Sequence, residues 1–182
     1  MSNISDKALV SPRAKIGNNV TIYPFAYIED DVVVGDNCVI YPYVSIMNGT
    51  RLGNGNKVFQ NTVLGAEPQD FNYKGDDTRL IIGDENIFRE NVVINRATFS
   101  DGKTVIGNRN FLMEGVHISH DTKIGTMNVF GYGTKIAGDC EIGDRTIFSS
   151  GVIANPGARV GDAVMIQSGT RFSKDVPPFI VA

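Results

Sequence analysis

Every sixth residue from Val10 to Leu64 carries a branched aliphatic side chain, through Ile16, Ile22, Ile28, Val34, Ile40, Ile46, Leu52 and Val58. The same phase returns at Ile82, Phe88 and Ile94, and again from Ile106 to Phe172. Of the 28 positions in this phase, 24 are large and apolar. A 42% hydrophobic chain would fill about 12 of them by chance. The slot four places further on is compact: Ala14, Val20, Ala26, Val32, Cys38 and Val44 open a series that Thr122, Thr134, Cys140 and Thr146 continue. Asn56, Asn86, Asn110 and Asn128 occupy the same slot. A period of six matches neither the 3.6 of an amphipathic helix nor the simple alternation of a long strand. It fits one short strand followed by one corner. A second period lies over the first, at every third step. It brings Ile16-Gly17-Asn18, then Val34-Gly35-Asp36, then Leu52-Gly53-Asn54, and the pattern returns at Ile82, Ile106, Ile142 and Val160. Three strand-and-corner units therefore close one coil, with Gly and Asn or Asp at a corner that most residues avoid.

The expected fold is all-β: coils stacked by parallel pairing into a triangular prism, with large residues filling the interior and small ones near the bends. At about 4.8 Å per coil, eight or nine coils give a prism roughly 40 Å long. The pattern resembles the left-handed parallel β-helix family of hexapeptide repeats. Left-handedness is what that resemblance implies; the period itself is silent on hand. A single domain over 1–182 is expected, with two polar interruptions at about 66–79 and 97–103. Such insertions loop out of one side of a solenoid and often carry function. After Phe172 the repeat stops, and Asp175-Val176-Pro177-Pro178 reads as an exit turn.

Composition agrees with strands and tight corners: 19 Ile and 19 Val against 5 Leu, with 20 Gly and 16 Asn. The net charge of −3 argues against a nucleic-acid partner. No apolar run is long enough for a transmembrane segment and the first residues lack a signal-peptide core, so a cytoplasmic protein is expected. The two cysteines, Cys38 and Cys140, lie far apart in the chain, both in the compact slot, and read as small buried residues. Apolar residues outside the inward phase, such as Val93 and Ile147, need cover, which points to a homotrimer.

The candidate chemistry centres on His117-Ile118-Ser119-His120-Asp121, which holds both histidines of the chain. Ile118 takes the inward slot, so His117 and Ser119 point outward and His120 falls at a corner. A neutral imidazole near pH 7 can take a proton from a hydroxyl, oriented by Asp121 or by an aspartate of a loop. Two histidines fall short of the three protein ligands that a catalytic zinc usually takes, so no metal is expected.

Four stretches carry a closer resemblance: Gly65-Ala-Glu-Pro-Gln69-Asp70, Arg89 to Arg96, Leu112 to Asp121, and Asp175 to Ala182. With them the chain resembles the acyl-carrier-protein-dependent UDP-N-acetylglucosamine acyltransferases that begin lipid A synthesis. The resemblance implies a homotrimer with active sites in the clefts between prisms. It also implies an acyl-carrier-protein or CoA thioester as acyl donor, a UDP-sugar acceptor and no bound cofactor. His120 matches the general base that deprotonates the sugar 3-hydroxyl, with Asp121 beside it. The backbone N–H of Gly138 matches the oxyanion donor, a role that suits acyl transfer. Asp70 and Gln69, in the first loop, match residues that hold the sugar nucleotide, and His117 matches a second active-site histidine that contacts the sugar.

Departures from the family pattern are Asp139 and Asn95 in place of histidines, Asn72 for a loop lysine, and Asn155-Pro156 for a His-Gln pair. Ser168 stands where a glycine is frequent in the acyl groove, and both Asn155 and Ser168 are still expected to bind substrate. The resemblance further implies a helical domain after Ala182, outside this sequence, so weak UDP-sugar affinity is expected of this chain alone. Two other readings remain open from the residues: a catalytically impaired trimeric scaffold or binding protein, and a CoA-dependent sugar acetyltransferase.

Overall fold

The computed structural model describes residues 2–182 as a left-handed parallel β-helix with no helical segment among the described residues. Three parallel sheets of nine, nine and eight strands form its faces. The first face runs from Asn3–Ile4 to Met165–Ile166, the second from Leu9–Val10 to Arg171–Phe172, and the third from Lys15–Ile16 to Arg159–Val160. Most strands are two residues long, one side chain out and one in. Each strand pairs with the third strand after it, one full coil on, as Thr21 does with Val39 and Ile22 with Ile40.

The inward phase becomes the core. Ile22, Ile40, Leu64, Phe88, Phe130, Phe148 and Ile166 are all buried, and the Phe130 and Phe148 rings stack with centroids 4.9 Å apart. The compact slot is buried as well, including Cys38 and Cys140. Burial raises both thiols' pKa, which keeps them protonated and unreactive.

The Gly-Asx motif builds the edge between the third and first faces. The Oδ1 of Asp36 accepts from the Asn18 N–H of the previous coil at 2.7 Å, and Asn54 does the same for Asp36 at 2.8 Å. Asn108, Asp144 and Asp162 repeat this for Asp84, Thr126 and Asp144. The glycine before each acceptor leaves room for the neighbouring coil: a Cβ on Gly35 would stand 2.6 Å from the Gly53 carbonyl. Just inside, buried Asn86 and Asn110 each donate Nδ2–H to the Oδ1 of the preceding coil's Asn at 3.0 Å. That ladder satisfies amides that would otherwise cost about 1–3 kcal/mol each when buried.

Two coils are longer than the others: the one that pairs Leu64 with Ile94 and the one that pairs Ile94 with Ile118. Both extra segments leave the same edge, between the second and third faces, in successive coils. Strands stop at Ala66 and resume at Arg79, then stop at Asn95 and resume at Lys103. The excess is two repeat units in the first coil and one in the second, so the inward phase survives both. At the far end, Val176 bridges to Val160 and Val181 to Met165, extending two faces beyond the last full coil.

Candidate active site

His120 sits on the edge between the second and third faces, one coil after the second loop. The strand His117–Ile118 fixes the local frame: Ile118 is buried, His117 stands on the outer surface of the second face, and the chain turns at His120-Asp121. Asp121 adopts a left-handed conformation, φ +59°, which an aspartate tolerates at a corner. That turn places the Asp121 Oδ2 2.9 Å from His120 Nδ1. An ionised carboxylate only accepts, so Nδ1 carries the proton and donates, leaving the lone pair on Nε2. The Asp121 carboxylate also accepts from the Thr98 N–H, at 3.1 Å to Oδ2, and the Asp121 N–H donates to Thr104 Oγ1 at 2.9 Å.

The first loop covers the other side of the ring. The Asn72 N–H donates to Asp70 Oδ1 at 2.7 Å and the Tyr73 N–H to the Asp70 carbonyl at 3.2 Å. This Asx turn frees the other oxygen, Oδ2, which faces His120 Nε2 at 3.7 Å. The gap is too wide for a direct hydrogen bond and leaves both atoms open to substrate at the same edge. The loop itself is held by Arg96, whose guanidinium donates to the Gly65 carbonyl at 3.0 Å and to Tyr73 Oη at 2.6 Å. Asn95 adds a bond from Nδ2 to the Glu67 carbonyl at 2.6 Å.

Gly138 lies one coil further along the same edge, directly beneath the imidazole. A Cβ there would stand 2.5 Å from His120 Cε1 and 2.8 Å from Nε2, so only glycine lets the ring lie flat on the backbone. Among the described residues the Gly138 N–H donates to no protein acceptor. His117 is half-buried on the same face, its Nε2 3.1 Å from Ser119 Oγ. Burial, then the charges of Lys135 and His120, pull its pKa below the ordinary value and favour the neutral ring.

Within one chain His120, Asp121, Asp70 and Gly138 therefore converge. Gln69 is adjacent in sequence but exposed, and Asn155 lies two coils past His120, where its Oδ1 accepts from Arg171 Nε at 3.2 Å. Ser168 sits on a different edge, between the first and second faces, and does not join the cluster. Asp139 is exposed, with its N–H donating to the His120 carbonyl at 3.2 Å. Thr98, Thr104 and Tyr73 are the partners that sequence reasoning missed. Tyr73 and Thr98 lie in the two interruptions, 66–79 and 97–103, which mark the places but not the contacts, and Thr104 lies in the strand Lys103–Ile106 that follows the second. No cluster of three or more metal-ligating side chains occurs among the described residues.

A left-handed prism of hexapeptide coils with a carboxylate-paired histidine on its edge defines a class, the hexapeptide-repeat transferases. The family model for bacterial transferase hexapeptide repeats matches residues 13–46. A crystal structure of a UDP-N-acetylglucosamine acyltransferase from Bacteroides fragilis superimposes with a TM-score of 0.97 at 51% identity, over 98% of this chain and 70% of that one. The enzyme from Francisella novicida superimposes with a TM-score of 0.96 at 38% identity, over 98% and 65%. The chain belongs to the UDP-N-acetylglucosamine acyltransferase family. The curated acyl-[acyl-carrier-protein]–UDP-N-acetylglucosamine O-acyltransferase of Thermodesulfovibrio yellowstonii is 41% identical over 125 residues, 68% of this chain and 48% of that protein. That of Akkermansia muciniphila is 46% identical over 121 residues, 66% and 47%. The chain thus spans about half the length of these curated relatives.

Proposed function

We propose that this chain transfers an acyl group from an acyl-carrier-protein thioester to a hydroxyl of a UDP-N-acetylglucosamine-type sugar, in the first step of lipid A synthesis. The observation that carries the reading is His120 Nε2 facing Asp70 Oδ2 at 3.7 Å, with Asp121 on Nδ1, above the unpartnered Gly138 N–H. The sugar 3-hydroxyl gives its proton to Nε2 as its oxygen attacks the thioester carbonyl. Asp121 stabilises the imidazolium that forms. The Gly138 N–H donates to the oxyanion of the tetrahedral intermediate. Collapse expels the thiolate, which takes the proton back from His120. The ester product and free thiol balance the reaction, with no metal or other cofactor required.

Asp70 and Gln69 bind sugar hydroxyls, His117 contacts the sugar nucleotide, and Asn155 and Ser168 contribute to the cleft between prisms. The working form is a homotrimer. Support comes from the first face, where Ile147 and Met165 are each 43% exposed beside Phe111 and Val129 and need cover. A carrier-protein donor and a nucleotide-sugar acceptor suit the cytoplasm. Among the described residues no helix is long and apolar enough to cross a membrane.

The test is incubation of the purified chain with UDP-N-acetylglucosamine and either acyl-carrier-protein or CoA donors, with the acylated sugar nucleotide read by mass spectrometry. Product from the carrier-protein donor supports the proposal. Product from CoA donors alone reassigns the donor. Absence of product with both, from a folded trimer, overturns it in favour of a binding or scaffold role.

A further inference from the structure

We propose that Thr98 is a positioning residue for the histidine base, and that the second loop is shaped to deliver it. This rests on the acyl-transfer reading above. Thr98 is fully buried, and its two polar groups go to the two members of the pair: the N–H to the Asp121 carboxylate at 3.1 Å, and Oγ1 to within 3.0 Å of His120 Nδ1. With Nδ1 protonated toward Asp121, the threonine oxygen is a second acceptor for the same N–H. Two acceptors on Nδ1 hold the proton there and keep the lone pair on Nε2, where the hydroxyl arrives. The ring is also fixed in angle, since Gly138 closes its lower face and Asp70 lies beyond Nε2.

The loop geometry shows how a single extra repeat unit achieves this. Ala97 and Thr98 are driven inward, with no exposure, instead of following the surface. The Gly102 N–H donates to the Phe99 carbonyl at 2.8 Å, closing a turn that returns the chain at once to the third face. A Cβ on Gly102 would stand 2.6 Å from the Phe99 carbonyl, 3.0 Å from Ala97 Cβ and 3.4 Å from Asp121 Oδ1. The turn is therefore packed against the very carboxylate that Thr98 holds. Ser100 Oγ donates to Asp76 Oδ1 at 2.7 Å and Asp101 N–H to the Asp77 carbonyl at 3.0 Å, so the same turn also anchors the first loop.

The test uses the full chain with Thr98→Val, which keeps the N–H and the shape but removes the hydroxyl, and Thr98→Ser, which restores the oxygen. Two readouts are taken. The first is the tautomer of His120 at alkaline pH by nitrogen-15 NMR, feasible because the chain has two histidines and His117→Gln assigns them. The second is steady-state acyl transfer. Wild type should hold the Nδ1–H form. Thr98→Val should move His120 toward the Nε2–H form that free imidazole side chains favour in water, and should lower kcat about tenfold with KM for the sugar nucleotide little changed. Thr98→Ser should restore both. An unchanged tautomer in a folded Thr98→Val chain overturns the proposal, and so does a Thr98→Ser chain as impaired as Thr98→Val. If the tautomer shifts and the wild type transfers no acyl group, the positioning role stands and the enzymatic reading falls.

Discussion

Along the edge between the third and first faces, each coil repeats its neighbour's bonds. Asp36, Asn54, Asn108, Asp144 and Asp162 each accept from the coil before. Along the edge between the second and third faces, neighbouring corners differ. There two loops leave the prism and His120 meets Asp121, Thr98 and Asp70 from three separate coils. The two edges use the same kinds of residue, Gly, Asp and Asn. On the first, an aspartate closes a corner and is consumed by its neighbour's N–H. On the second, the corner aspartate Asp121 accepts the preceding coil's Thr98 N–H and also holds His120 Nδ1, while a loop brings Asp70 to the far side of the ring. Regularity supplies stiffness at one edge, and its interruption supplies a site at the other.

The sharpest separation comes from the site edge. His120→Ala should lower acyl transfer by roughly 10²–10⁴-fold, the usual contribution of a positioned base. The thermal midpoint should stay near wild type, because the side chain packs on Gly138 and loops and takes no part in the core. Near-normal turnover by this variant would remove the base from the mechanism. A large fall in the midpoint would show that the two edges are not independent.

The regular edge should answer in the opposite way. Gly35→Ala brings a Cβ within 2.6 Å of the Gly53 carbonyl carbon and oxygen, which are backbone and can move only with their coil. Overpacking of this kind typically costs about 1–3 kcal/mol. The loss should appear in chemical denaturation, while kcat of the folded fraction is unchanged, since Gly35 lies several coils from His120. A neutral result would mean that the corner spacing is softer than the ladder suggests.

How much of this is legible in the residues follows the same division. The inward phase, the compact slot and the Gly-Asx corners are periodic, and a physical period in the chain becomes a physical layer in the prism. Counting alone assigns Ile22 and Phe148 inward, and both are buried. The interruptions at 66–79 and 97–103 are visible too, since Asp70, Asp76 and Ser100 break the apolar phase. What the loops touch is not visible. Asp70 and Thr98 come from earlier coils than His120, and nothing periodic connects them to it. Asp70 enters the site only through family resemblance, and Thr98 only through the structure. The Asn56–Asn86–Asn110 ladder lies between these cases: the slot is evident, but the amide-to-amide bonding needs the stacked coils.

A smaller effect should separate the two histidines of the site. His117 has its pKa lowered, chiefly by burial and then by Lys135 and His120, so the folded chain resists protonating it. The unfolded chain protonates the same residue at the ordinary, higher pKa. Between those two values the unfolded state binds more protons, so stability is full above the unfolded value and is lost as pH falls toward the folded one. Thermal midpoints measured from pH 7.5 to 5 should therefore drop more steeply for wild type than for His117→Gln. Parallel curves would mean that His117 is more solvated than its surroundings indicate.

The smallest effect is expected on the third face, away from both edges. Glu141 lies between Lys123 and Arg159 in adjacent coils, 3.6 Å from each, with side-chain exposures of 49%, 66% and 70%. The row resembles a designed charge ladder, yet every member is open to water. Coulomb attraction there is screened, and each pairing costs side-chain entropy, so exposed pairs contribute about 0–1 kcal/mol. Glu141→Gln keeps the shape, removes the charge and leaves Lys123 and Arg159 facing each other across a coil. The expected change in stability is at the low end of that range, and it should shrink further when salt is raised toward about 1 M. Activity should not move. A loss well above about 1 kcal/mol that persists in high salt would show that this face carries a coupled network, and that the prism draws part of its rigidity from charge as well as from the stacked corners and the apolar core.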